Sequence, residues 1–180
     1  MTKGDLHSEL TVSRPELLKE GTDATFRSML HDLLAFSASL EAVRGRFGAF
    51  LGLSGIQYTL VVSIRQLQGK GGVGVKDLAE HLGLSAPFVT TETKKLVRLG
   101  IVAKATNPDD LRRVNLTLTD QGRKLLLMLA PMQREINDAI FEPLAAEDMD
   151  RLVRMASDLR RSAERAVVLA DYLLDSDRSS

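Results

Sequence analysis

Between residues 85 and 98, small hydroxyl residues and cations recur at helical spacing: Ser85, Ala86, Pro87, Thr90, Thr91, Lys94, Lys95 and Arg98. Wound into an α-helix, Ala86, Pro87, Thr90, Thr91 and Lys94 project together, while Val89, Thr93, Leu96 and Leu99 turn inward and Phe88 packs near the preceding turn. Small hydroxyl residues near a helix start approach base edges closely, and threonine methyls meet thymine methyls. The N-terminal amides and the helix dipole favour phosphate. Lys76, Lys95 and Arg98 are candidates for backbone contacts, which set register and affinity rather than sequence choice. The chemistry these residues suit is recognition of double-stranded DNA.

Little in the chain suits catalysis. It has no cysteine, which excludes disulfides, thiolate zinc sites and thiol redox chemistry. Its histidines, His7, His31 and His81, stand at no metal-ligand spacing, so neither a metal nor a cofactor is expected. His81 beside Glu80 reads as solvent-facing rather than as a catalytic base. Lys70-Gly71-Gly72-Val73-Gly74 imitates the start of a phosphate loop. Val75 then precedes Lys76, and Asp77 stands where the magnesium-binding hydroxyl belongs, so a flexible inter-helix loop is the better reading. The chain is read as a non-enzyme.

Charge supports the same reading. Its 180 residues carry 24 basic and 24 acidic side chains, for a net charge of zero. Between residues 70 and 125, however, ten Lys/Arg face six Asp/Glu, against 14 and 18 elsewhere. A neutral protein can still bind nucleic acid when its positive charge gathers on one surface. The apolar content of 44% suffices for a core. The longest apolar run, residues 125–132, is far shorter than the ~18 residues of a membrane span. No secretory h-region is visible, so a soluble cytoplasmic protein without a membrane partner is expected.

The surrounding pattern is mostly helical. A long amphipathic helix is predicted over Asp23–Leu51, weakened at its far end by Gly45 and Gly48. A second helix runs from Ile56 to about Leu67 and stops at a glycine-rich loop, residues 69–74. A two-turn helix, Lys76–Leu82, ends at Gly83, and the helix capped by Ser85 ends at Gly100. Residues 101–106 and 114–118 flank an Asn-Pro turn and read as a β-hairpin. Two helices follow: Asp120–Phe141, which Pro131 should kink, and Ala146 to about Leu174. The two chain ends read as loose, although Leu17-Leu18 could dock. Helix, sharp turn, helix and hairpin is the order of a winged helix-turn-helix. The fold class is therefore mainly α with a small β-hairpin wing, flanked by long N- and C-terminal helices.

Residues 54 to 125 resemble the multiple-antibiotic-resistance repressor (MarR) family of winged-helix transcription regulators. The matching pieces, in order, are residues 53–58, 75–85, 89–96 with 99–102, and most specifically Asp110-Leu111-Arg112-Arg113-Val114-Asn115-Leu116-Thr117-Leu118-Thr119-Asp120-Gln121-Gly122. The last follows the family's D-x-R and L-T-x-x-G pattern across the wing. The Gly-rich linker and the paired acids Asp109-Asp110 depart from the pattern. The resemblance implies that Asp110 orients Arg112 at the wing tip, where Arg112 enters the minor groove, with Arg113 the adjacent candidate. Narrow A·T-rich minor grooves suit arginine.

The resemblance also implies the domain plan: residues 1–22 a flexible tail, 23–53 and 120–175 a helical dimerisation region, and 54–119 the DNA-binding domain. A homodimer, expected to be a repressor, would then grip a pseudo-palindromic operator. Val167, Val168, Leu169 and Leu173, together with parts of the first long helix, are its interface candidates, and the apolar surplus of the long helices at both ends points the same way. Family members often respond to small anionic aromatic effectors. Tyr58, Arg65, Met29 and Met128 are conceivable lining residues, but the effector site is unknown. The rival reading is a winged-helix module that binds another protein instead of DNA.

Overall fold

A computed structural model describes residues 9–106 and 114–177. Two compact units divide between Pro131 and Met132. The first holds a 3-10 turn at Pro15–Leu17, then α1 (Ala24–Phe50), α2 (Gly55–Leu67), β1 (Val73–Gly74), α3 (Val75–Leu82), α4 (Ala86–Arg98), β2 (Val102–Thr106) and β3 (Val114–Leu118). Helix α5 (Asp120–Phe141) begins in it and runs unbroken through Pro131. The second unit holds the rest of α5 and α6 (Ala146–Asp177). The expected mainly helical fold with a small wing is what the chain adopts, and α6 extends three residues past its expected end at Leu174.

Helix α1 does not fray at its glycines. Gly48 is buried because the next helix starts directly on it: an added Cβ would lie 2.7 Å from the Ser54 carbonyl oxygen. The chain then turns through Gly52, at φ 70°, and α2 leaves at 89° to α1. Ser54 and Gln57 form a reciprocal capping box, so two otherwise orphaned amides at the start of α2 are satisfied. Tyr58, Leu60, Val61 and Ile64 make α2 the centre of the core, and Tyr58 meets Phe47 edge-on at 5.5 Å. No single helix among the described residues is long and apolar enough to cross a membrane.

The glycine-rich linker is more than a flexible loop. Val73 and Gly74 pair antiparallel with Leu116 and Asn115, turning the expected hairpin into a three-stranded sheet of order β1-β3-β2. Gly72, at φ 88°, lets the linker approach closely, since a Cβ there would sit 2.9 Å from that of Asn115. Asn115 Nδ2 donates to the Gly71 carbonyl at 2.6 Å, and Gln68 Oε1 accepts the Leu118 amide at 2.8 Å. A two-residue strand has too few positions to show periodicity, so nothing in the sequence announces it.

The segment before α1 is also tied down where residues 9–22 are described. Asp23 is 1% exposed. Its Oδ2 accepts the Thr11 hydroxyl at 2.6 Å and the Thr11 amide at 2.8 Å, while Arg27 lies 3.0 Å from Oδ1. Those donors, the Thr11 hydroxyl first, hold the Asp23 carboxyl below its ordinary range. Within the tail expected to be loose, Thr11 is thus bonded to the start of α1.

Gly122 fixes the junction between wing and α5. Thr119 Oγ1 donates to the Gly100 carbonyl and accepts the Gly122 amide, which draws α5 against Ile101. A Cβ on Gly122 would stand 2.3 Å from the Ile101 carbonyl oxygen, which is backbone and cannot step aside. Gly122→Ala is therefore expected to destabilise the fold by about 1–3 kcal/mol, as overpacking does. Urea unfolding reads this directly, and an unchanged midpoint would contradict the packing described.

Candidate nucleic-acid interface

Helix α4 is held by one face and open on the other. Val89 and Leu96 are fully buried, and Thr93 is buried with its hydroxyl donating to the Val89 carbonyl at 2.7 Å. Ser85 caps the helix by accepting the Phe88 amide, and Pro87 occupies its first turn. Before it, Gly83 adopts φ 64° and ends α3, so the two helices meet in a sharp turn. After it, Gly100, at φ 70°, turns the chain into β2. That turn corrects one expectation: Leu99 is 49% exposed, and Ile101 takes the buried place beyond Leu96 instead. Phe88 is likewise 42% exposed rather than packed away.

The open face carries the expected residues. Ser85, Ala86, Pro87, Thr91, Lys94, Lys95 and Arg98 are exposed, and Thr90 is half-buried. Thr90 and Thr91 donate their hydroxyl protons to the Ala86 and Pro87 carbonyls, at 2.8 and 3.0 Å. Each oxygen thus keeps only lone pairs for a ligand. A surface so arranged accepts from an exocyclic amine of adenine or cytosine, or packs on a thymine methyl. Lys76 is exposed on α3, 3.5 Å from Glu80. Asp110, Arg112 and Arg113, the expected wing-tip residues, lie outside the described residues.

Between α4 and the sheet lies a cleft of about 230 Å3. Leu116 and Val97 contribute its apolar lining, and Lys94, Arg98 and Lys104 its cations. Lys104 on β2 was not singled out by the sequence, because one lysine in a short strand carries no signal. The register, which sets Lys104 opposite Leu116, brings it beside the helix cations.

Glu92 was missed as well. It is 7% exposed although it lies on α4 among hydroxyls and cations. Lys95 Nζ donates to its Oε1 at 2.6 Å, and Gln57 Nε2 to its Oε2 at 3.1 Å. The Lys95 bond is the main cause that holds the Glu92 carboxyl below its ordinary range; burial opposes it and the Gln57 amide assists. Lys95, expected as a phosphate contact, is therefore engaged by a carboxylate of its own helix.

The residues named as possible effector lining are scattered in the first unit. Tyr58 belongs to the core, where burial raises its phenol pKa. Arg65 is exposed in the last turn of α2, and Met29 and Met128 are exposed on α1 and α5. Met29 instead lines a shallow groove with Leu17, Leu18 and Phe26. Among the described residues, no group of three His, Asp or Glu side chains is placed to hold a metal ion.

Known proteins resemble this chain. The model of the MarR family matches residues 56–114. The HTH-type transcriptional regulator FarR of Neisseria gonorrhoeae is 31% identical over 121 residues, spanning 67% of this chain and 83% of its own. A MarR protein from Peptoclostridium difficile aligns with a TM-score of 0.65 at 19% identity, over 86% of this chain and 96% of that one. A mutant of MepR from S. aureus, bound to an oligodeoxyribonucleotide, aligns with a TM-score of 0.50 at 20% identity, over 76% and 97%. At such identities the structural likenesses speak for the fold.

The Glu92 contacts set a pH dependence. A carboxyl depressed in the folded state contributes stability fully above its unfolded value of about 4.3, and loses it as pH falls through the lower folded value. The stability difference between the parent protein and Glu92→Gln, followed by thermal unfolding, should therefore shrink as pH falls below about 4. A difference that stays constant with pH would contradict the bonding described.

Proposed function

The chain belongs to the MarR family of transcriptional regulators, and on that premise we propose that it acts as a homodimer on a pseudo-palindromic operator, as a repressor. The observation that carries this reading is the open face of α4, where acceptor-only threonines, a capped N-terminus and cations lie side by side on a helix anchored from behind.

In this reading α4 enters the major groove. Ala86, Pro87, Thr90, Thr91 and Lys94 meet base edges, while Ser85 brings the helix N-terminus to a phosphate. Lys76, Arg98 and Lys104 follow the phosphate backbone on either side. Arg112, oriented by Asp110 and accompanied by Arg113, enters the adjacent minor groove. The oligonucleotide bound to the MepR relative supports the same partner here. Release by a small anionic effector is part of the proposal, with its site left unassigned.

The second copy is argued from exposed apolar surface. Leu30, Leu33 and Leu34 on α1, and Val167, Val168 and Leu169 on α6, are all exposed in the single chain. Apolar surface of that extent marks an interface. A two-fold dimer presents two copies of α4 to half-sites about one helical turn (~34 Å) apart. Residues 23–53 and 120–175 are accordingly assigned to dimerisation and 54–119 to DNA.

Val168 is 69% exposed, so a charge there costs the lone chain little and the dimer much. Val168→Asp should weaken self-association at least about tenfold in sedimentation equilibrium, equivalent to about 1.4 kcal/mol. Association equal to the parent's would remove α6 from the interface. Arg112→Ala should weaken binding to duplexes selected by the parent and flatten the log–log salt slope by about one. Unaltered binding by that variant would refute the wing assignment. Duplex binding that ignores salt, or none at all, would favour the protein-binding module instead.

A further inference from the structure

We infer that Glu92 is a specificity-determining positioning residue, which fixes the recognition helix to the start of α2 through Gln57 and holds Lys95 away from phosphate. The inference rests on the DNA-binding reading above and concerns residues which that reading does not use.

A carboxylate on a helix that faces DNA is a liability, since it repels phosphate. Here it is buried on the flank of α4, and both oxygens are engaged by different elements: Oε1 by Lys95 one turn later, Oε2 by Gln57 of α2. Gln57 has no freedom to turn over. Its Oε1 accepts the Ser54 amide at 3.1 Å, so its Nε2 must face Glu92, and only an acceptor satisfies that nitrogen. Its own amide in turn donates to Ser54 Oγ at 3.3 Å. The bonds therefore run without interruption from the α2 cap to the middle of α4.

The far end of that chain is anchored on α1. The Leu53 amide donates to the Gly48 carbonyl at 2.8 Å, and Ser54 packs on Gly48 so closely that no side chain fits between. Arg44 Nε donates to Thr59 Oγ1 at 3.0 Å across the same junction. Apolar packing at Val89 and Leu96 resists separation of α4 from the core, but it is non-directional. Hydrogen bonds of fixed direction set the roll of α4 about its axis, and that roll decides which of Thr90, Thr91 and Lys94 meet a base edge. The Glu92–Lys95 pair has a second effect. It withdraws one cation from the sequence-independent attraction to phosphate, so less of the total affinity is indifferent to sequence.

Two variants separate these effects. Binding is measured to a duplex selected from a random pool by the parent and to a scrambled duplex of equal length, each over a range of salt. Glu92→Leu removes the acceptor of Gln57 and frees Lys95, so its salt slope should steepen by about one and its scrambled-duplex affinity should hold or rise. Its selected-to-scrambled affinity ratio should fall about tenfold or more, the scale of one lost base contact. Gln57→Leu cuts the link to α2 but keeps the ion pair, so the ratio should fall with the slope unchanged. Ratios within twofold of the parent's in both variants, or equal losses on both duplexes, would overturn the inference. Amide hydrogen exchange of the free proteins gives an independent reading. Exchange should quicken along α4 in both variants while β2 and β3 keep the parent's rates, and a uniform quickening throughout the first unit would reduce Glu92 to ordinary stabilisation. A parent that binds neither duplex would defeat the DNA reading, and the exchange pattern would still decide whether Glu92 positions α4.

Discussion

The rest of the structure depends on the attachment of α4 by its inner face. A helix that reads DNA must leave one side bare, so everything that keeps it in place has to act from the other side and from its ends. Val89, Thr93 and Leu96 supply the buried side, Ser85 the cap, Gly83 the turn before it and Gly100 the turn after it. Helices this short have little stability alone, so the face against the core is what makes α4 a helix at all. The elements packed around it follow from that need. Helix α2 provides the apolar floor, α3 braces the turn, and the sheet closes the far end.

Electrostatics refine what packing begins. The chain is neutral as a whole, yet Lys94, Arg98 and Lys104 converge beside one cleft, while Lys95 is balanced by a buried acid on its own helix. A reader made only of cations would bind any duplex. In the proposed complex, acceptor-only threonines and a carboxylate that occupies one lysine shift the balance from charge toward shape and hydrogen bonding. The same economy explains the two long helices. Both carry exposed apolar residues, and in the proposed dimer they set the distance between two readers.

Most elements were legible in the sequence because each carries its own local signal. Ser54 and Ser85 mark caps, Gly83 and Gly100 mark ends, and residues 114–118 alternate with the period of a strand. What stayed hidden depends on partners distant in sequence. Val73–Gly74 becomes a strand only because β3 lies alongside, and Lys104 joins the cationic face only through the register of β2 on β3. Glu92 and Gln57 meet across 35 positions, a distance no periodicity spans. Leu99 misled for the opposite reason. Its helical spacing pointed inward, but the glycine after it turns the backbone and gives the buried place to Ile101. Asp23 stands at the start of the first long helix without capping it, and its carboxylate fastens Thr11, twelve positions away.

The central claim is that two copies of α4, spaced by the terminal helices, read one face of a duplex. Hydroxyl-radical footprinting on a duplex selected by the protein tests it most directly. The account predicts two protected patches of equal strength, centred about 10 base pairs apart or a multiple of that spacing, with minor-groove protection beside them where the wings lie. A single protected patch, or uniform protection that follows charge without register, would contradict it.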